Sequence, residues 1–149
     1  MKLQRSGWLV VALLVVGAPH VNAQTTYTLP TGATFMCDAE GYAGQLECRG
    51  IPMADSADNI VGQFTIFSFN RVGLSLPGLP PTAYGTSDNW VYPFRTLPPA
   101  DGKTQASFSF DWSDEGHTGT ASGTFVRVNV CSNRCWVHPK LLTFTVTMN

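Results

Sequence analysis

Charge is scarce in this chain. Asp, Glu, Lys and Arg make up 13% of its 149 residues, and no run of like sign is longer than the pair Asp114-Glu115. Beyond Ala23, seven basic side chains stand against ten acidic ones, a net charge of −3. That balance offers no electrostatic footprint for DNA or RNA and no basic stripe for an anionic membrane. Long apolar runs are missing too: the longest, Trp8 to Val16, has nine residues, where a membrane-spanning helix needs about 20. No nucleic-acid partner and no stable membrane insertion are therefore expected.

Histidine is equally thin. Beyond Ala23 only His117 and His138 remain, and a terminal hairpin would put them near opposite ends of one ladder, too far apart to share a metal or a reaction. A local Asp111, Ser113 and His117 grouping resembles a triad in composition only, since three polar groups at one turn more often hydrogen-bond the turn. No G-x-S-x-G elbow, H-E-x-x-H, S-x-x-K or phosphate-cradling glycine loop occurs. No catalytic residue is assigned and no cofactor is expected.

What is present begins with a leader. Lys2 and Arg5 precede the apolar run, and Val21-Asn22-Ala23 supplies a small-residue cleavage site, which predicts a signal peptide over residues 1–23. Residues 24–149 then suit a single domain with a core of its own, in a secreted or periplasmic protein. Four cysteines in an exported chain read as two disulfides, and of the three possible pairings Cys37–Cys48 and Cys131–Cys135 each flank a local turn. The spacings lack the paired Cys-x-x-Cys of a zinc site.

Period-two alternation recurs along the chain. Thr25 to Leu29 predicts a short strand closed by Pro30-Thr31-Gly32, and Thr34–Cys37 and Gln45–Cys48 predict two more around the Glu40 to Gly44 bend. Ile51 to Asn59 reads as a connection. Val61 to Asn70 has apolar groups on both faces and predicts a central strand covered on both sides. Gly73 to Gly102 holds six of the ten prolines, and no regular element is expected from Leu74 to Tyr84. Thr104 to Ser113 sets Ala106, Phe108, Phe110 and Trp112 inward and Ser107, Ser109, Asp111 and Ser113 outward. The fold class expected is all-β, an antiparallel β-sandwich of about eight short strands.

The last strands form a hairpin about Cys131 and Cys135. Val126, Val128 and Val130 are expected on the buried side, Arg127 and Asn129 on the other, and Trp136 as a plug at the end of the body. Pairing Cys131 with Cys135 and counting outward, the apolar stripes fail to meet unless one residue slips. A bulge near Pro139, setting Phe125 against Leu142 and Gly123 against Phe144, repairs the register.

Two constellations invite a ligand. Trp90 and Tyr92, with Asp88 and Asn89 beside them, have the makings of a sugar-stacking platform within the long Gly73–Gly102 excursion. Asp111, Asp114 and Glu115 gather carboxylates that would suit a hard cation such as Ca²⁺, although a solvated acidic turn is the simpler account and no metal is assigned. The function expected is a non-enzymatic binding module for an extracytoplasmic glycan or protein partner. Its alternatives are an assembly module acting by edge-strand addition and a hydrolase lacking any complete catalytic set.

Overall fold

A computed structural model describes residues 24–40, 46–67, 71–80, 83–87, 98–114 and 116–149, with backbone alone for residues 83–87. Among the described residues every regular element is a strand. They are β1 (Thr25–Thr28), β2 (Phe35–Met36), β3 (Cys48–Ala54), β4 (Ile60–Phe67), β5 (Arg71–Ser75), β6 (Ala83–Ser87), β7 (Ala106–Asp114), β8 (His117–Cys131) and β9 (Cys135–Met148). All pairings are antiparallel, and the order across the sheet is β1-β3-β4-β5-β6-β7-β8-β9-β2.

The all-β, antiparallel expectation holds, but the strands make one sheet where two layers were expected. That sheet curls into a half-barrel whose margins meet on β1. Thr25–Thr28 pairs with Thr145–Met148 of β9 along its whole length, whereas its other side meets β3 at the single pair Thr28–Ala54. The physical reason is one-sidedness. In β7 the burial alternates strictly, with Phe108, Phe110 and Trp112 inside, so the sheet has a single apolar face and satisfies it by rolling that face inward.

Phe64 sits at the middle of the interior, its ring 5.5 Å from that of Phe144 and 6.4 Å from those of Phe110 and Trp112. Ile51, Met53, Ile66, Phe125, Leu141 and Val146 are buried in the same cluster. Each such side chain contributes roughly 1.5–3 kcal/mol on leaving water. The large rings fit because glycine lies opposite them: Trp112 pairs with Gly119 and Phe108 with Gly123. A Cβ at Gly119 would stand 2.5 and 2.6 Å from two indole carbons. This large-against-small pairing allows the sheet its tight curl.

Several local expectations are corrected. Ile51–Ala54 belongs to β3, and only Asp55–Asn59 is the turn, held by the Asp55 carboxylate accepting from the N–H groups of Ala57 and Asn59. β4 is buried on one face, not two: Phe64 and Ile66 point in, while the Phe67 ring lies over Gly73 with the Arg49 guanidinium 5.9 Å from its centroid. The proline-rich excursion contains the end of β5 and all of β6, because Pro77 and Pro80 fall between those strands rather than within them.

The predicted slip in the terminal hairpin exists, displaced toward its base. Cys131–Cys135 through Phe125–Leu141 run in one register and Thr124–Thr143 onward in the next, so Leu142 is the extra residue and Pro139 stays opposite Arg127. Phe125 therefore faces Leu141, not Leu142. The displacement lets Leu141 and Phe144, three apart, both point into the core.

The faces of the distal hairpin hold only in part: Val126 is buried as expected, but Val128 is half-buried and Val130 exposed. Arg127 shares the inward side with Phe125 and Pro139, whereas Val130 and Trp136 face each other on the outside, 44% and 55% exposed. Trp136 is thus no plug. The side that Phe125 and Pro139 share is closed by an ion pair, the Arg127 guanidinium meeting Glu40 at 2.6 Å. Both disulfides form as expected, Cys37–Cys48 and Cys131–Cys135.

Candidate functional site

The outer face of β7, β8 and β9 is built from hydroxyls. Because side chains alternate along a strand and registers are fixed by the ladder, residues facing outward line up in rows. One row is Ser107, Thr124 and Thr143; the next is Ser109, Ser122 and Thr145; a third is Asp111, Thr120 and Thr147. Neighbouring rows are two residues apart, roughly 7 Å, and neighbouring strands roughly 4.8 Å apart.

The first two rows border a concavity of about 530 Å³, floored by the backbone at Phe108 and Gly123. Its hydroxyls divide into two groups. Thr124 and Thr143 share a 2.7 Å hydrogen bond, and the Thr143 hydroxyl also accepts from the Thr124 N–H at 3.1 Å. That contact sits beside the Leu142 bulge. Ser107, Ser109, Ser122 and Thr145 have no side-chain hydrogen bond among the described residues. They offer both donors and acceptors to a ligand.

In the third row the Thr120 hydroxyl donates to Asp111 at 3.0 Å, and the Thr147 hydroxyl accepts from the Thr120 N–H at 3.1 Å. Asp111 thus borders the field with a carboxylate already oriented. Asp114 is three positions on and points to the opposite face, where it is 8% exposed. The two do not converge on a cation, and Glu115 lies outside the described residues. Among the described residues no group of three His, Cys, Asp or Glu side chains is placed to hold a metal.

His117 pairs with Asp114, whereas Ser113 pairs with Thr118 and Asp111 with Thr120, so the local trio of Asp111, Ser113 and His117 is split between faces. His138 lies toward the other end of the hairpin, its Nδ1 2.8 Å from the Cys37 carbonyl oxygen. Asp88, Asn89, Trp90 and Tyr92 lie outside the described residues. The chain enters that stretch from Ser87, whose backbone pairs with Trp112 on the strand that carries Ser107 and Ser109.

The outward half of each row was legible in the alternation of serine and threonine. Their assembly into one field was not, because it depends on registers linking β7 to β8 and, through the bulge, to β9. Compared with known proteins, the chain matches no family model, no curated protein and no solved structure.

Proposed function

We propose that this is an exported binding module whose ligand is a glycan lying on the hydroxyl field of β7, β8 and β9. The carrying observation is the concavity of about 530 Å³ bordered by Ser107, Ser109, Ser122, Thr124, Thr143 and Thr145. A polyhydroxylated ligand needs partners that both donate and accept, at spacings a rigid ladder fixes in advance, and four of these hydroxyls have no competing side-chain partner among the described residues. Asp111 adds a charged acceptor at the border.

In this reading Trp90 and Tyr92 supply apolar stacking surface, and Asp88 and Asn89 supply oriented polar groups. The signal peptide over residues 1–23 delivers the domain to a secreted or periplasmic location. Two disulfides agree with an oxidising, extracytoplasmic environment. Edge-strand addition is the second reading: β1 covers β9 along its whole length but meets β3 only at Thr28–Ala54, which leaves that margin open to a further strand.

The test is a glycan panel read by calorimetry. Ser109→Ala with Ser122→Val should weaken the best ligand at least tenfold, about 1.4 kcal/mol, with the melting temperature kept. Trp90→Ala should do the same by removing the stacking surface. Unchanged affinity in the Ser109/Ser122 variant would remove the hydroxyl field from the reading.

A further inference from the structure

We propose that the outer face of the distal β8–β9 hairpin docks on an anionic lipid surface. Four large hydrophobic side chains are exposed among the described residues, Met36, Ile60, Val130 and Trp136. Three of them gather on this one face. Val130 stands opposite Trp136, and Met36 stands opposite Lys140, which lies on the same side of β9 as Trp136. Scattered singly such residues would mean little; the Val130–Trp136 pair on one ribbon, with Met36 on the neighbouring strand, forms a surface that gains from being covered.

The ribbon is made to stay open to solvent. Cys131 to Trp136 are all exposed, so no core beneath them holds the aromatic ring in place. The Cys131–Cys135 bond does that instead, one residue from Val130 on one strand and from Trp136 on the other. A covalent clasp at this position keeps an apolar pair presented without folding it inward.

Charge selects the partner. From Val126 to Asn149 the sequence contains no Asp or Glu, yet it carries Arg127, Arg134 and Lys140. Arg127 is engaged by Glu40, and the other nearby carboxylate, Asp38, is paired with Arg49 at 3.4 Å. Arg134 and Lys140 make no ion pair among the described residues. A domain with a net negative charge thus carries two unpaired cations, Arg134 and Lys140, on the same hairpin as its exposed tryptophan. Tryptophan at headgroup depth flanked by Arg and Lys is the chemistry of an anionic bilayer interface.

The test is cosedimentation of the disulfide-intact protein with phosphatidylcholine vesicles, with and without phosphatidylglycerol. Binding is expected to the anionic vesicles only and to fall at high salt. Trp136→Ala should lower it about tenfold, and Arg134→Gln and Lys140→Gln about fivefold each, with near-ultraviolet circular dichroism confirming an intact fold. Ile60→Ala, at a still more exposed position but at the start of β4, should bind as the parent does. Equal binding to neutral vesicles, or no response to Trp136→Ala, would overturn the proposal. So would Trp136-dependent self-association in sedimentation velocity with no binding to vesicles, which would assign the face to a second copy of the chain.

Discussion

The guanidinium of Arg127 and the carboxylate of Glu40, 87 residues apart in sequence, close on each other through hydrogen bonds of 2.6 and 2.7 Å. A third N–H of the same group donates to the Pro98 carbonyl at 2.6 Å. One side chain thereby ties β8 to the segment after β2 and to the segment before β7. The hydrogen bond to Glu40 raises the arginine pKa still further, so the group stays charged at every accessible pH. With side chains only 12% and 9% exposed, solvent screens the pair little. Glu40→Gln is expected to cost up to about 3–5 kcal/mol, because it leaves a buried cation uncompensated. The double variant Glu40→Leu, Arg127→Met should lose much less, and urea unfolding of the set measures the coupling.

This pair marks where the sequence stops being readable. The strand β8 was legible, but an arginine among valines reads as the solvent side of a half-buried strand until its partner is known. The carboxylate that reverses that reading comes from beyond the Cys37 end of the chain, and no local pattern announces it. The same limit applies to Trp136: its neighbours Cys135 and Val137 suggest interior, while its position past the rolled body leaves nothing to bury it. By contrast, both disulfides, the alternation of β7 and the existence of a bulge follow from spacing and period alone. The bulge's place does not, since either Pro139 or Leu142 repairs the register and only core packing of Leu141 with Phe144 decides.

Glycine opposite an aromatic ring gives a second prediction. At Gly119 an added Cβ would strike the indole of Trp112 and also the backbone oxygen of Thr147. At Gly123 it would come 3.1 Å from two Phe108 ring carbons and 2.5 Å from the Thr143 oxygen. Overpacking of this kind costs about 1–3 kcal/mol. Gly119→Ala should reach or pass the upper end, since a carbonyl in a ladder cannot yield, and Gly123→Ala should cost less. Thermal melts give the order, and near-ultraviolet circular dichroism should report a displaced Trp112.

The two disulfides should differ in what they contribute to stability. Cys37–Cys48 closes a sequence separation of 11 and Cys131–Cys135 one of 4. Chain entropy alone gives about 3 kcal/mol for the first and about 2 for the second. Cys37 and Cys48 are buried in the core as well, so replacing both by Ala adds a cavity that the exposed pair does not have. Denaturant midpoints should therefore fall further for the Cys37/Cys48 double variant. Loss of Cys131–Cys135 should instead leave the body folded and loosen the hairpin, visible as faster amide exchange from Val128 to Val137.

Asp101 sets the acid limit of the turn that leads into β7. Its carboxylate accepts from the Thr104 N–H at 2.8 Å, the Thr104 hydroxyl at 2.7 Å and the Lys103 N–H at 2.9 Å. These bonds, the Thr104 backbone bond foremost, hold its pKa down to about 2 from an ordinary 3.8. A carboxyl with a depressed pKa in the folded state contributes its full stability above the unfolded value and loses it as pH falls through the folded one. The contribution is therefore complete above pH 3.8 and gone below about 2. The stability difference between the parent and Asp101→Ala should be flat at neutral pH and shrink across that window, and carboxyl carbon NMR should give a midpoint near 2. Gly102, the next residue, donates its N–H to the Arg127 carbonyl at 2.8 Å, so the turn is held against the same strand as the Glu40 ion pair. A midpoint at the ordinary value would mean that the turn opens in solution, and then the Pro98 bond to Arg127 would open with it.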